Sequence, residues 1–137
     1  MTIKKVSFKN IAAIRPEYRY YQGYYDHETD TIAIDKDCPP VTKFSYRQVL
    51  LHEQCHRKIF KSGVKKYFNE EQEEIFCDLW VIVQWPKKKL YGLEVQIRRL
   101  ICCRGEWKQV SSRTGIIKNM LQFSGVKPTA SLVNALL

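Results

Sequence analysis

Two histidines and a glutamate stand within five residues in the segment LLHEQCHR, at His52, Glu53 and His56. In an α-helix, residues four apart are rotated by about 400°, so the two imidazoles lie nearly above one another on one face. Both can therefore bind one metal ion, at the distance of about 2.0 to 2.1 Å that is typical of zinc–nitrogen bonds. Glu53 is rotated by roughly 100° from His52, which is close enough to hold a water molecule bound to that ion.

This spacing is the H-E-x-x-H pattern of zinc peptidases, in which the glutamate is the general base. The alternative interpretation is an ordinary helix whose histidines are unrelated. In a chain of this composition, chance is expected to give roughly 0.003 such matches. The pattern therefore favours a metal site.

A catalytic zinc site needs three protein ligands and a position for water. No histidine follows His56, so the third ligand is expected to be a carboxylate, with His27 as the less favoured alternative. In NEEQEEIFCDLW, Glu74 and Asp78 stand four apart among apolar residues, which places this pair beside the buried face of a helix. Glu74 would then bind the ion, and Asp78 would accept the second N–H of a ligating histidine. The neighbouring carboxylates are expected to form a solvated first turn; these are Glu70, Glu71 and Glu73.

The elements that must position these residues follow from periodicity and cap signals. Short β-prone runs around Gly23 predict a hairpin over 20–25 and 31–35. Ser45 with Gln48 forms a capping-box signature for the helix that carries the histidines, and Gly63 marks its end. Asn69 begins a second helix, which Pro86 ends.

Further helices are predicted toward the C-terminus. A basic amphipathic helix covers about 88–103, and 111–137 forms one or two short helices with a break at Gly125 and Pro128. The prediction is an α+β fold, 1–137, in a single domain: a small N-terminal antiparallel hairpin packed on the H-E-x-x-H helix and a glutamate-bearing second helix.

Composition indicates the cellular compartment and the partners to be expected. Five cysteines, two of them adjacent, favour a reducing compartment, and neither a signal peptide nor a membrane-spanning run is visible. A cytoplasmic protein without a membrane partner is therefore predicted. The formal net charge of +9 is compatible with nucleic acid or a DNA-bound regulator as a partner.

The sequence HEQCH, followed eighteen residues after its last histidine by EIFCDLW, resembles the gluzincin peptidases, especially the small ImmA/IrrE-like group. The resemblance covers about 20–85 and implies zinc bound by His52, His56 and Glu74, with Glu53 as general base and Asp78 supporting a ligand. Two residues depart from the family pattern. Cys55 stands where a small or apolar residue is usual and Cys77 where alanine is usual, and either thiol could redirect metal binding.

The resemblance implies a zinc-dependent peptidase that cleaves an intracellular protein, such as a regulator or repressor. The oxyanion donor would be Tyr67 or a hairpin tyrosine, namely Tyr20, Tyr21, Tyr24 or Tyr25. Thr31–Asp35 is the candidate edge strand for pairing with an extended substrate. The alternative is a basic module on the same fold that binds nucleic acid or a regulator without catalysis, and a third hypothesis combines both activities.

Overall fold

The computed structural model describes residues 1–6, 23–35, 46–103 and 112–137, which have an α+β fold. The chain divides into two compact units, 1–57 and 58–137. The single-domain organisation stays a prediction.

The first unit contains a three-stranded mixed sheet. Its strands are β1 (Thr2–Val6), β2 (Gly23–Asp26) and β3 (Thr31–Asp35), in the spatial order β1-β3-β2. The antiparallel pairing of β2 with β3 confirms the predicted hairpin, whereas β1 pairs with β3 in parallel and was not predicted. Because β3 has a partner on each side, the prediction that it is an edge strand is wrong.

A polar turn joins β2 to β3. The Asp26 carboxylate accepts hydrogen bonds from the Glu28 backbone N–H at 3.0 Å and from the Thr29 hydroxyl at 2.8 Å. Asp30 ends the turn with a φ of 50°, in the left-handed region that aspartate tolerates better than most residues. Local side-chain hydrogen bonds therefore explain why the tetrad at 27–30 is a turn.

Helix α1 (Tyr46–Lys61) carries the H-E-x-x-H residues and packs on the sheet. Its Val49 is buried with Ile32 and Ile34 of the central strand. At Gly23 of β2 the backbone comes close to the helix, because a Cβ there would lie only 2.8 Å from Val49 Cγ1. Ser45, the predicted N-cap, lies outside the described residues.

In the second unit, helix α2 (Glu70–Gln84) begins as predicted. The Asn69 side chain accepts from the Gln72 N–H, and the Gln72 side chain accepts from the Asn69 N–H, which completes a capping box. Trp85 has extended backbone, as expected for a residue before a proline.

Three helices follow: α3 (Leu93–Cys103), α4 (Arg113–Phe123) and α5 (Ala130–Leu136). Helix α3 starts later than predicted because Gly92 has a φ of 50°, which interrupts the helix after a short 3-10 turn at Lys87–Lys89. The predicted break between the last two helices is confirmed at Gly125, whose φ is 80°.

The helices of the second unit enclose an apolar core. Asn119 on α4 donates a hydrogen bond to the Ile101 carbonyl of α3 at 2.7 Å, which links these two helices. Fully buried members of the core include Phe76, Ile101, Ile117, Met120, Leu121 and Leu136. Among the described residues, no helix is both long and apolar enough to cross a membrane.

The close approach at Gly23 gives a first prediction. Gly23→Val should destabilise the protein by about 1–3 kcal/mol, because the new side chain would overlap Val49 and approach the Ala33 carbonyl. Urea unfolding measures this loss. Gly63→Asn is the control, since nothing lies within 4 Å of that position and asparagine tolerates its φ of 71°. Equal stability of both variants would contradict the close packing of β2 on α1.

Candidate metal centre

The two imidazoles of helix α1 converge. His52 and His56 are one turn apart, and their Nε2 atoms lie 3.1 Å from each other. Their ring centroids are 4.8 Å apart with an interplanar angle of 70°, so the rings meet edge to face rather than stacking. Both side chains are partly exposed, which leaves access from solvent.

This separation suits two chemical situations. One imidazole can donate its N–H to the other nitrogen, or both nitrogens can direct lone pairs at one ion. Two nitrogens at tetrahedral zinc are separated by about 3.3 Å when each bond is about 2.05 Å. The observed 3.1 Å is close to that value and is also an ordinary N–H···N distance, so the separation suits either situation.

Glu53 follows His52 on α1 and is buried, with 7% of its surface exposed. Strand β2 lies against its stem, since a Cβ at Gly23 would be 3.2 Å from Glu53 Cγ. Among the described residues, no buried side-chain nitrogen or oxygen lacks a hydrogen-bond partner. Strand β2 therefore packs against the side chain of Glu53, which follows His52 on the helix.

Cys55 lies within the motif but is fully buried. Its thiol belongs to the packed side of α1, whereas the histidines on either side are partly exposed. Cys55 thus serves the core, and we assign it no part in metal binding.

Asp30 forms a polar hub that sequence reasoning missed. Its carboxylate accepts two hydrogen bonds from Arg57, from Nε at 2.9 Å and from Nη2 at 3.2 Å. It also accepts one from the Tyr25 hydroxyl at 2.8 Å. Arg57 directly follows His56, so this bidentate pair ties the histidine-bearing turn of α1 to the hairpin. The only feature of the sequence that pointed to this ion pair was Arg57, directly after the H-E-x-x-H motif.

The hub changes two ionisation equilibria. Burial, followed by the hydrogen bond to Asp30, raises the pKa of Tyr25, while the positive charge of Arg57 opposes that shift. The hydrogen bond to Asp30 raises the pKa of Arg57. Because the Tyr25 hydroxyl donates to Asp30, its proton is already engaged, which disfavours it as the oxyanion donor.

The predicted residues of helix α2 lie in the second unit. Glu74 and Asp78 are both exposed, and Cys77 between them is fully buried. The buried carboxylate of this helix is instead Glu73, which accepts from Lys65 Nζ at 2.9 Å. The expectation of a solvated Glu73 is therefore wrong, because a lysine from the preceding turn neutralises it.

The other predicted site residues are Tyr67, His27, Tyr20 and Tyr21. Tyr67 ends a short 3-10 turn with 47% of its surface exposed, and Lys66 Nζ lies 5.3 Å from its ring centroid. Its role as oxyanion donor stays a prediction. His27 is exposed in the hairpin turn, while Tyr20 and Tyr21 lie outside the described residues.

No family model, curated protein or solved structure matches this chain.

The Asp30 hub gives a second prediction. Asp30→Asn should lower the pKa of Tyr25 toward its ordinary value, and Arg57→Gln should raise it further, because the two charges act in opposite directions. A raised tyrosine pKa favours the protonated form in the fold. Its contribution to stability is therefore complete below the unfolded-state pKa and is lost as pH rises through the folded-state value.

Titration of tyrosine labelled with ¹³C at Cζ, followed by NMR, measures both shifts. Glu28→Gln, an exposed change in the same turn, is the control and should leave the Tyr25 pKa unchanged. Shifts of the same sign in the Asp30 and Arg57 variants would contradict the hub.

Proposed function

We propose that this chain is a zinc-dependent peptidase that hydrolyses peptide bonds of an intracellular protein substrate, such as a regulator or repressor. The observation that carries the proposal is the convergence of the His52 and His56 Nε2 atoms, 3.1 Å apart, with the buried Glu53 next to one of them. The H-E-x-x-H spacing assigns the same three residues to metal binding and proton transfer.

The donor set fits zinc. Imidazole nitrogens are common zinc ligands, and a pair on one helical turn leaves the other tetrahedral positions to a third protein donor and water. Bound zinc would supply a Lewis acid that activates water and polarises the scissile carbonyl.

The chain's own residues then perform the proton transfers. Glu53 accepts a proton from the attacking water and returns it to the leaving amine. Glu53 is 7% exposed, so little bulk water reaches its side chain. The contact of the Glu53 stem with β2 limits the rotamers open to this side chain.

Helix α2 would provide the third ligand, and two donors compete for that place. Glu74 is the ligand that the family resemblance implies, with Asp78 supporting a histidine. Cys77 is the second candidate, because a thiolate is a preferred zinc ligand and this residue stands where the family pattern has alanine. A thiolate would bind zinc strongly and reduce its Lewis acidity, so the two ligand sets differ in the chemistry they permit.

The setting proposed for this activity is the cytoplasm, with a protein or peptide as substrate and no membrane partner. Tyr67 remains the proposed oxyanion donor. A second candidate function is a non-catalytic module that binds nucleic acid or a DNA-bound regulator. The net charge of +9 favours it.

Metal content tests the site first. The wild-type chain should bind one zinc ion, and both His52→Ala and His56→Ala should weaken binding by at least about 100-fold, because each removes one of few donors. Elemental analysis and competition with a chromogenic chelator measure this. His27→Ala is the matched control and should retain zinc. Retention by all three variants would contradict the site.

The same assay on cobalt-loaded protein separates the two ligand sets. A thiolate-to-cobalt charge-transfer band that disappears in Cys77→Ser would assign Cys77 as the ligand. Loss of metal in Glu74→Gln without such a band in the parent would assign Glu74.

Catalysis is tested by Glu53→Gln, which preserves shape and removes the base. The variant should keep its zinc and cleave about 10²–10⁴-fold more slowly, measured by mass spectrometry on a proteome-derived peptide library. Gln54→Ala, the next residue on the helix, is the control and should cleave normally. Unchanged cleavage by Glu53→Gln would show that this residue is not the general base.

A further inference from the structure

A basic surface with exposed apolar residues covers 87–100 of the second unit, and we call it the Lys87–Leu100 surface. It begins with three exposed lysines in one 3-10 turn, Lys87–Lys89. Tyr91 and Leu93 follow, with 83% and 66% of their surfaces exposed. Such exposure is unusual for a tyrosine and a leucine only two residues apart.

Helix α3 continues this surface. Leu100, which is 47% exposed, stands seven residues after Leu93 and so lies on the same side of the helix. Gln96, on that side, and Arg99, on the flank of the helix, are also exposed, whereas Ile101 is fully buried. The helix thus buries one face in the core and presents leucines to solvent on another.

The cations of this surface have no partners within the described part of the chain. Lys87, Lys88, Lys89 and Arg99 make no ion pair, side-chain hydrogen bond or ring contact there. Lysines elsewhere in the unit are engaged: Lys65 pairs with Glu73, and Lys58 Nζ lies 5.6 Å from the Trp80 ring centroid. Cations without a partner among the described residues therefore stand close in sequence to the exposed leucines.

We propose that the Lys87–Leu100 surface docks an acidic amphipathic helix of a partner protein. The lysines and Arg99 require negative charge on the partner. Leu93 and Leu100, spaced by two helical turns, fit a partner that presents apolar side chains at the same period. Tyr91 would be an anchor, since exposed tyrosines are frequent among the residues that dominate interface energies.

Nucleic acid satisfies only part of these features. Phosphates would pair with the lysines, and a base could stack on Tyr91. Neither contact would bury Leu93 or Leu100, so binding would not gain the free energy of removing these leucines from water. An acidic helix uses both the charges and the leucines, so the observations favour it. The proposal goes beyond peptidase activity and does not depend on zinc.

The test uses the full chain and a synthetic 21-residue peptide, (EELLEEL)₃, with fluorescein at its N-terminus. Fluorescence anisotropy should give binding that weakens about tenfold or more in Leu93→Ser/Leu100→Ser. Lys87→Gln/Lys88→Gln/Lys89→Gln should weaken it by a similar factor, and this loss should be smaller at high salt. A peptide of the same composition, scrambled to scatter its leucines, should bind more weakly than the periodic one.

Matched controls distinguish binding at this surface from non-specific electrostatic and hydrophobic binding. Lys118→Gln/Lys127→Gln removes two exposed lysines elsewhere, and Phe123→Ser removes an exposed apolar residue. Both should bind the peptide normally. Glu53→Gln should also bind normally, which keeps this test distinct from that of the peptidase.

Three outcomes would overturn the proposal. The first is no peptide binding at 1 mM, taken as roughly the weakest affinity of a specific contact. The second is equal binding by the leucine variant. The third is tighter binding to a competitor than to the peptide, if that binding also weakens in the lysine variant. The competitors are a 20-nucleotide single-stranded nucleic acid and vesicles of phosphatidylcholine with phosphatidylserine.

Discussion

The convergence of two imidazole nitrogens on one turn of helix α1 is the constraint on which the account of this protein depends. The helix alone supplies the spacing, because residues four apart share a face. Directing both Nε2 atoms to within 3.1 Å also requires both side chains to adopt compatible rotamers. The hairpin supports this arrangement at two points, through Gly23 against Val49 and Glu53, and through Asp30 bound to Arg57. The proposed metal site would therefore depend on the hairpin as well as on the helix.

Much of the fold could be predicted from local signals. Asn69 and Gln72 form the capping box that their spacing predicted, and the turn residues at 27–30 join two strands as expected. These predictions are confirmed because the groups that accept hydrogen bonds from each backbone N–H lie within a few residues in sequence. The H-E-x-x-H helix was predictable from the helical spacing of its apolar residues, and it ends before Gly63 as expected.

The failures concern contacts between distant residues. Strand β1 reads as a charged, exposed segment, yet it pairs with β3 and makes that strand central, which no local pattern indicates. The pairing of Glu73 with Lys65, and of Asp30 with Arg57, likewise depends on how the chain folds back. One further failure is local: helix α3 was predicted too long because Gly92 was interpreted as part of a basic helix, although its positive φ interrupts regular structure there.

The central claim is that His52 and His56 bind one zinc ion together, and X-ray absorption at the zinc edge tests it most directly. Zinc-loaded protein is predicted to show two imidazole ligands, with zinc–nitrogen distances of about 2.0 to 2.1 Å and scattering from the outer atoms of both rings. A spectrum with no imidazole scattering, or with a single imidazole per zinc, would contradict it.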